Sequence, residues 1–295
     1  MSLWALFVLV SVASVFFVCY WGAGVILHPP NMSRMTVFPE QFGLRYERLP
    51  FPTKDGLTLK GWWIPAEDPA ERRTILMCHG WGDNKGELLR ETHFLHDAGF
   101  NLFYFDTRSH GDSEGEITTI GCLETIDFAA AMAFLREHKP DFVKRLGVFG
   151  FSMGAAVAAM SVPDHPEVKA VVMESPFMDY RGVARRWAWN KFKIPYIPLV
   201  WITLHILRYR VGRSEVDTYS PHRYIARISP RPILVISGSE DRLMQEWDVR
   251  ELFALAKEPK QLWIIPGARH GKCRQLAGLE YDTRIAGFFS RHLTA

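Results

Sequence analysis

Cysteine is scarce: Cys19, Cys78, Cys122 and Cys273 are the only four in 295 residues, and no two form a CxxC pair. That spacing excludes a zinc-ribbon pattern and argues against a disulfide framework. An excess of one charge sign is also missing. Lys and Arg total 35 against 32 Asp and Glu, a net charge of +3 spread along the chain, so no nucleic-acid partner is expected. The glycine-rich stretch "HGWGDNKG" lacks the Walker GKS/T ending, and no GxGxxG is present, which argues against a nucleotide-phosphate loop. Neither HExxH nor a Cys/His cluster occurs. His93 and His96 share one predicted helix without further ligands, so no metal site is expected.

The longest absence is of charge itself, between Leu3 and Leu27 ("LWALFVLVSVASVFFVCYWGAGVIL"). A helix of this length crosses a hydrocarbon core of roughly 30 Å. A cleaved leader normally has a basic n-region and an apolar core of about 7–15 residues, so the stretch is read as a single-pass membrane anchor. The positive amino terminus before it, set against Arg34 and Arg45 after it, favours a cytoplasmic globular domain. Asn31-Met32-Ser33 is formally a glycosylation sequon but lies too close to the span to weigh much.

What is present follows a regular plan. Residues 1–27 read as the anchor, 28–43 as a Pro-containing linker, and 44–295 as one domain. "LTLKGWWI" alternates as an antiparallel strand does, while "TILMCH", "NLFYFD", "LGVFGF", "VKAVVME", "PILVIS" and "QLWIIP" are short apolar runs suited to strands covered on both faces. Helical patterns separate most of them. The fold class predicted is therefore α/β, a mostly parallel sheet with helices on both faces.

Within "GVFGFSMGAA", Ser152 stands between Gly150 and Gly154, after a strand and before a helix. That context makes G-x-S-x-G a nucleophile elbow, although a lone serine there equally serves as an N-cap. A serine hydroxyl needs an imidazole to take its proton and an acid to orient the imidazole. "SGSEDRL" places Asp241, with Glu240 as competitor, after one strand, and "GARHG" places His270 after the next. All three stand at the carboxyl ends of predicted parallel strands, where ligand crevices form. The oxyanion of a tetrahedral intermediate needs two donors. The backbone N–H groups of Trp81, in "CHGWG", and Met153 are the candidates.

Taken in order, "HGWGDNKG", "FDTRSHGDSEG", "GFSMG", "SGSEDRL" and "GARHG" resemble the α/β-hydrolase superfamily across residues 44–295. With the N-terminal span and "DGLTLKGWWIP", the chain is similar to membrane-anchored serine hydrolases related to monoglyceride lipases and protein depalmitoylases. The resemblance implies an α/β-hydrolase fold, esterase-like activity and no cofactor. In "DTRSHGDS", Ser109 and His110 stand where a Gly-x pair is usual, and Asp106 and Arg108 are read as loop scaffolding.

A segment at about 178–216 departs from the core pattern and reads as a helical cap. Its apolar centre, Ile194 to Leu207, is too short to span and is flanked by Lys191, Lys193, Arg208 and Arg210. Trp187, Trp201 and Leu204 are taken as substrate contacts, with packing onto the cap's own core as the alternative. The expected partners are a lipid or acylated substrate and the bilayer. A peptidase or acyltransferase using the same triad, and a non-catalytic apolar-ligand-binding membrane protein, remain as other readings. Removing residues 1–27 is expected to leave a soluble, active domain whose turnover of short esters is nearly unchanged and whose turnover of vesicle-embedded substrates drops.

Overall fold

The computed structural model describes residues 1–29 and 35–294, so Arg34 and the sequon at Asn31 lie outside the described residues. Eight strands alternate with helices: β1 Glu47–Pro52, β2 Thr58–Ile64, β3 Thr74–Cys78, β4 Asn101–Phe105, β5 Leu146–Phe151, β6 Val168–Glu174, β7 Ile233–Gly238 and β8 Lys260–Ile265. The helices are α1 Leu3–Leu27, α2 Lys85–Thr92, α3 Phe94–Asp97, α4 Glu124–His138, α5 Met153–Ser161, α6 Tyr180–Phe192, α7 Trp201–Val211, α8 Glu246–Leu255, α9 Cys273–Ala277 and α10 Leu279–His292.

The strands form one sheet in the order β1-β2-β4-β3-β5-β6-β7-β8. β2 runs antiparallel to both β1 and β4, and every pairing from β4 to β8 is parallel. β3, β4 and β7 are buried along their whole length, which is why their sequences are continuous apolar runs. β8 was expected to be covered on both faces, but only Ile265 of it is buried, because it ends the sheet. β1 carries Pro50 and Pro52, which a central strand would not tolerate, and it occupies the opposite edge.

Two apolar layers fill the faces of the sheet, one around Phe103, Phe128 and Val157, the other around Phe100, Tyr104 and Phe289. A third cluster unites Ala23, Ile26 and Leu27 of α1 with Tyr180, Ala184 and Leu207 of the cap. Only Cys19, Ala23, Ile26 and Leu27 of α1 are buried. Their spacing of four, three and one puts them on one face of the last two turns. Leu3, Phe7 and Phe17 are exposed.

The predicted cap centre is interrupted. Pro195 and Pro198 fall inside it, Ile197 has extended backbone angles, and α6 and α7 pack as two helices rather than one. α7 lies along α1: Cys19 Sγ donates to the Leu199 carbonyl at 3.3 Å, and the Arg210 guanidinium sits 4.9 Å from the Tyr20 ring.

Candidate active site

The end of β5 turns directly into α5 at Ser152, whose backbone takes φ 52° and ψ −114°. A non-glycine residue at positive φ is strained, and the surroundings hold it there. The Ser152 amide donates to the Glu174 carbonyl at 2.9 Å, and the Ser152 carbonyl accepts from the Ala156 amide at 3.1 Å. The flanking glycines are needed for close approach. A Cβ on Gly150 would meet the Gly154 carbonyl oxygen at 2.5 Å, and one on Gly154 would meet the Cys78 carbonyl oxygen at 2.1 Å.

Asp241 follows β7 and His270 follows β8, and the sheet order brings both loops to the elbow. His270 Nε2 lies 3.2 Å from Ser152 Oγ, and His270 Nδ1 lies 2.7 Å from Asp241 Oδ2. The second carboxylate oxygen of Asp241 accepts from the Leu243 and Met244 amides at 2.9 and 2.8 Å. This buried, fully partnered carboxylate requires Nδ1 to carry the proton, leaving the Nε2 lone pair for the serine hydroxyl. Glu240, the competing acid, is exposed to solvent and makes no contact with the imidazole. The Phe151 ring packs 5.2 Å from the His270 ring.

The "HGWGD" turn after β3 packs against the serine: a Cβ on Gly80 would lie 3.4 Å from Ser152 Cβ. Trp81 and Met153 both face the cavity above Ser152, and Met153 opens α5, where first-turn amides have no intrahelical acceptor. Two histidines fasten this turn. His79 Nε2 accepts from the Thr107 amide at 3.0 Å, so its Nδ1 donates to the Gly80 carbonyl at 2.8 Å. His110 Nε2 accepts from the Gly82 amide at 3.1 Å, and its Nδ1 donates to the Arg108 carbonyl at 2.8 Å. Burial lowers the pKa of both, which keeps them neutral and able to accept. His79 belongs to the turn that the sequence reading expected it to shape, whereas His110 was given no role there. The one signal for His110 was that the pair Ser109-His110 stands where Gly-x is usual.

The loop after β4 is scaffolding, as Asp106 and Arg108 suggested. Asp106 accepts from the Lys85 ammonium and amide and from the Asp112 amide, and Lys85 also sits 4.6 Å from the Trp62 ring. Gly111, at φ 52°, is required because a Cβ would lie 2.1 Å from Asp106 Oδ2. Arg108 bridges Asp127 at 2.7 Å and Asp55 at 2.9 Å.

Ser152 opens into a cavity of about 230 Å³, walled by Ile26, Trp81, Phe177, Val183, Trp187 and Met244, among others. A second cavity of about 230 Å³, lined by Asp83, Glu174, Arg274 and Tyr281, lies beyond Phe151 and does not include Ser152. Of the three expected substrate contacts, Trp187 lines the serine's cavity. Trp201 and Leu204 do not: with Arg208 and Asp217 they border a separate recess. The two-helix cap turns that part of α7 away from Ser152, leaving Leu204 buried in packing and Trp201 half exposed.

Ile26 is one of several lining residues that sequence reasoning missed. It belongs to α1, its carbonyl accepts from Trp81 Nε1 at 3.1 Å, and the neighbouring Leu27 carbonyl accepts from the Thr118 amide at 3.0 Å. A cut after residue 27 would remove one wall of the cavity, so the expectation of an undisturbed site in the shortened chain does not hold.

Comparison with known proteins agrees with this fold. The family described as serine aminopeptidase, S33, matches residues 69–229, a span that includes the turn at Trp81 and Ser152 but ends before Asp241 and His270. The uncharacterised protein YfhR of Escherichia coli is 32% identical over 229 residues, 76% of this chain and 73% of its own length. The bem46 protein of Schizosaccharomyces pombe is 27% identical over 236 residues, 79% of this chain and 73% of its own. An esterase of Pyrococcus furiosus superposes with a TM-score of 0.75 at 27% identity, covering 91% of this chain and 99% of the esterase. With an eight-stranded, mostly parallel sheet and a serine at the β5–α5 elbow, the chain belongs to the serine aminopeptidase S33 family of α/β hydrolases.

Proposed function

We propose that the chain is a membrane-anchored serine ester or thioester hydrolase acting on apolar acyl substrates. The observation that carries this reading is the hydrogen-bonded series Ser152–His270–Asp241 opening into an apolar cavity. In this mechanism Ser152 Oγ attacks the acyl carbonyl as His270 Nε2 takes its proton. Asp241 steadies the imidazolium that forms, and the amides of Trp81 and Met153 receive the oxyanion. His270 then protonates the leaving group, and water attacks the acyl-enzyme by the same route reversed.

An ester is favoured over the peptide substrate that the family's description suggests. An aminopeptidase must neutralise the substrate's ammonium group, and no carboxylate is among the residues lining the serine's cavity. Glu240 stands farther out, in a mouth it shares with Lys191, Arg242, Arg269 and Lys272. The burial of Ile26 and Leu27 in the cap and cavity supports a retained anchor over a cleaved leader.

The test is labelling of the full-length protein in detergent by a fluorophosphonate probe, with hydrolysis of a panel of acyl esters and thioesters. Labelling at Ser152 and turnover of apolar esters are expected. Peptide cleavage without ester turnover would overturn the reading, and extraction of the protein from membranes by carbonate would overturn the anchor.

A further inference from the structure

The serine's cavity adjoins two passages of opposite character. One is the wide mouth of about 510 Å³, where Lys191, Arg242, Arg269 and Lys272 face Glu240 beside His270. The other is a narrow cleft of about 30 Å³ between α1 and the cap, which shares Ile26, Ala184 and Trp187 with the serine's cavity. Farther out, its walls are Val18, Trp21 and Val25 on α1 and Phe192, Leu199 and Val200 on the cap. Among the described residues no charged side chain lines it, and the one hydroxyl among them, Thr203, donates to the Leu199 carbonyl at 2.9 Å.

A row of aromatic rings follows the same line. Trp81 beside the serine meets Trp187 at 5.6 Å, Trp187 meets Phe192 at 5.3 Å, and Phe192 meets Trp21 at 5.7 Å. Trp21 is 48% exposed, on a helix whose outer face is apolar from Leu3 onward.

We propose that the acyl chain of an ester dissolved in the bilayer reaches Ser152 through this cleft, with Trp187 as the movable partition and the leaving group facing the charged mouth. The inference rests on the reading of the chain as a membrane-anchored ester hydrolase. An acyl chain that crossed water would lose about 0.8 kcal/mol per CH₂, a cost avoided by sliding along a helix already in hydrocarbon. At 1.5 Å per residue, α1 is roughly 37 Å long and exceeds a hydrocarbon core of roughly 30 Å. Its last turns therefore reach the membrane boundary, where the cleft begins. At about 30 Å³ against about 230 Å³ for the serine's cavity, the cleft is too narrow for an alkyl chain as it stands, so the rings must part for a chain to pass.

The test uses the full chain in phosphatidylcholine nanodiscs and a long-chain alkyl fluorophosphonate with a diazirine at the chain end. Ser152 Oγ bonds to phosphorus as fluoride leaves and His270 takes the proton, and light then records where the alkyl chain lies. Cross-links within residues 18–25 and 184–192 are expected. Cross-links confined to residues 240–244 and 269–272 would overturn the cleft while leaving the hydrolase reading intact. Failure to modify Ser152 at all would overturn the hydrolase reading, and the cleft with it.

A second measurement fills the outer cleft with Val25→Trp. The turnover of p-nitrophenyl palmitate in phosphatidylcholine vesicles, divided by that of p-nitrophenyl acetate, is expected to fall at least tenfold. A ratio within twofold of the parent would overturn the proposal. Should Val25→Trp not fold, Val18→Trp, nearer the outer end, gives the same reading.

Discussion

The tops of the parallel strands and the shell formed by α1 and the cap meet at Ser152, yet they are held by different forces. At the strand tops, position is set by backbone geometry and buried hydrogen bonds: the elbow at φ 52°, the two amides on Asp241, the two histidines on the "HGWGD" turn. In the shell, position is set mainly by apolar contact, with Ile26, Ala184 and Leu207 packed in one cluster. Hydrogen bonds lose their value over a few tenths of an ångström, whereas apolar packing is non-directional and tolerates sliding. On the function proposed above, the contrast would put the chemistry on the sheet and the choice of substrate on the shell.

If that division holds, changes at the strand tops depress every substrate alike. The largest effect is expected from Ser152→Ala, a loss on the order of 10⁴–10⁶ in kcat on an activated short ester with the circular dichroism spectrum retained. Most of the activity surviving in the folded variant would break the comparison at once. Asp241→Asn should cost on the order of 10⁴ in kcat, because the amide stabilises the wrong imidazole tautomer. Equal losses on acetate and palmitate esters are the outcome that sharpens the comparison.

His110→Ala removes the acceptor that fixes the Gly82 amide, and displacement of the oxyanion turn is expected to lower kcat on the order of 10- to 100-fold with little change in KM. A rise in KM alone would mean that the turn shapes binding rather than the reacting geometry.

A smaller effect is expected in the pH dependence of stability. Burial raises the Asp83 carboxyl from its ordinary range to about 7. A carboxyl held up in the folded state contributes most at low pH, so stability falls as the pH climbs from about 4 to 7. The side chain keeps some contact with solvent, and screening there reduces this to on the order of 1–2 kcal/mol. Urea midpoints of Asp83→Asn should lack that part of the fall, and curves parallel to the parent would count against it.

The smallest effect belongs to the shell's outer face. Trp201 is half exposed and outside the serine's cavity, so Trp201→Ala should leave short-ester turnover within about twofold. A tenfold loss would show that α7 acts on the reacting centre and would blur the division between strand top and shell.

Much of the strand-top half was legible in the sequence. Short apolar runs mark buried strands because a parallel sheet is covered on both faces, and six such runs became β3 to β8. Ser152, Asp241 and His270 could be chosen because each directly follows a strand, and strand ends converge wherever the sheet is parallel. Edges were harder to read. β1 hides behind two prolines, and β8 looks central by composition although it ends the sheet. The shell resisted most. A run such as Ile194 to Leu207 is apolar whether it lines a cavity or packs on a neighbour, and only packing turned Leu204 away from Ser152.

The sequence by itself therefore determined the α/β alternation, the strand-to-helix turn at Ser152 and the placing of Ser152, Asp241 and His270 after successive strands, since each is written in local periodicity or in residues at strand ends. The tertiary structure alone decided that His110 fixes the Gly82 amide of the turn after β3, and that Ile26 of the apolar helix walls the cavity of Ser152. The physical reason is that such contacts join segments far apart in the chain. Their partners are selected by how helices and loops pack over the sheet, and packing of that kind leaves no periodic trace in either segment.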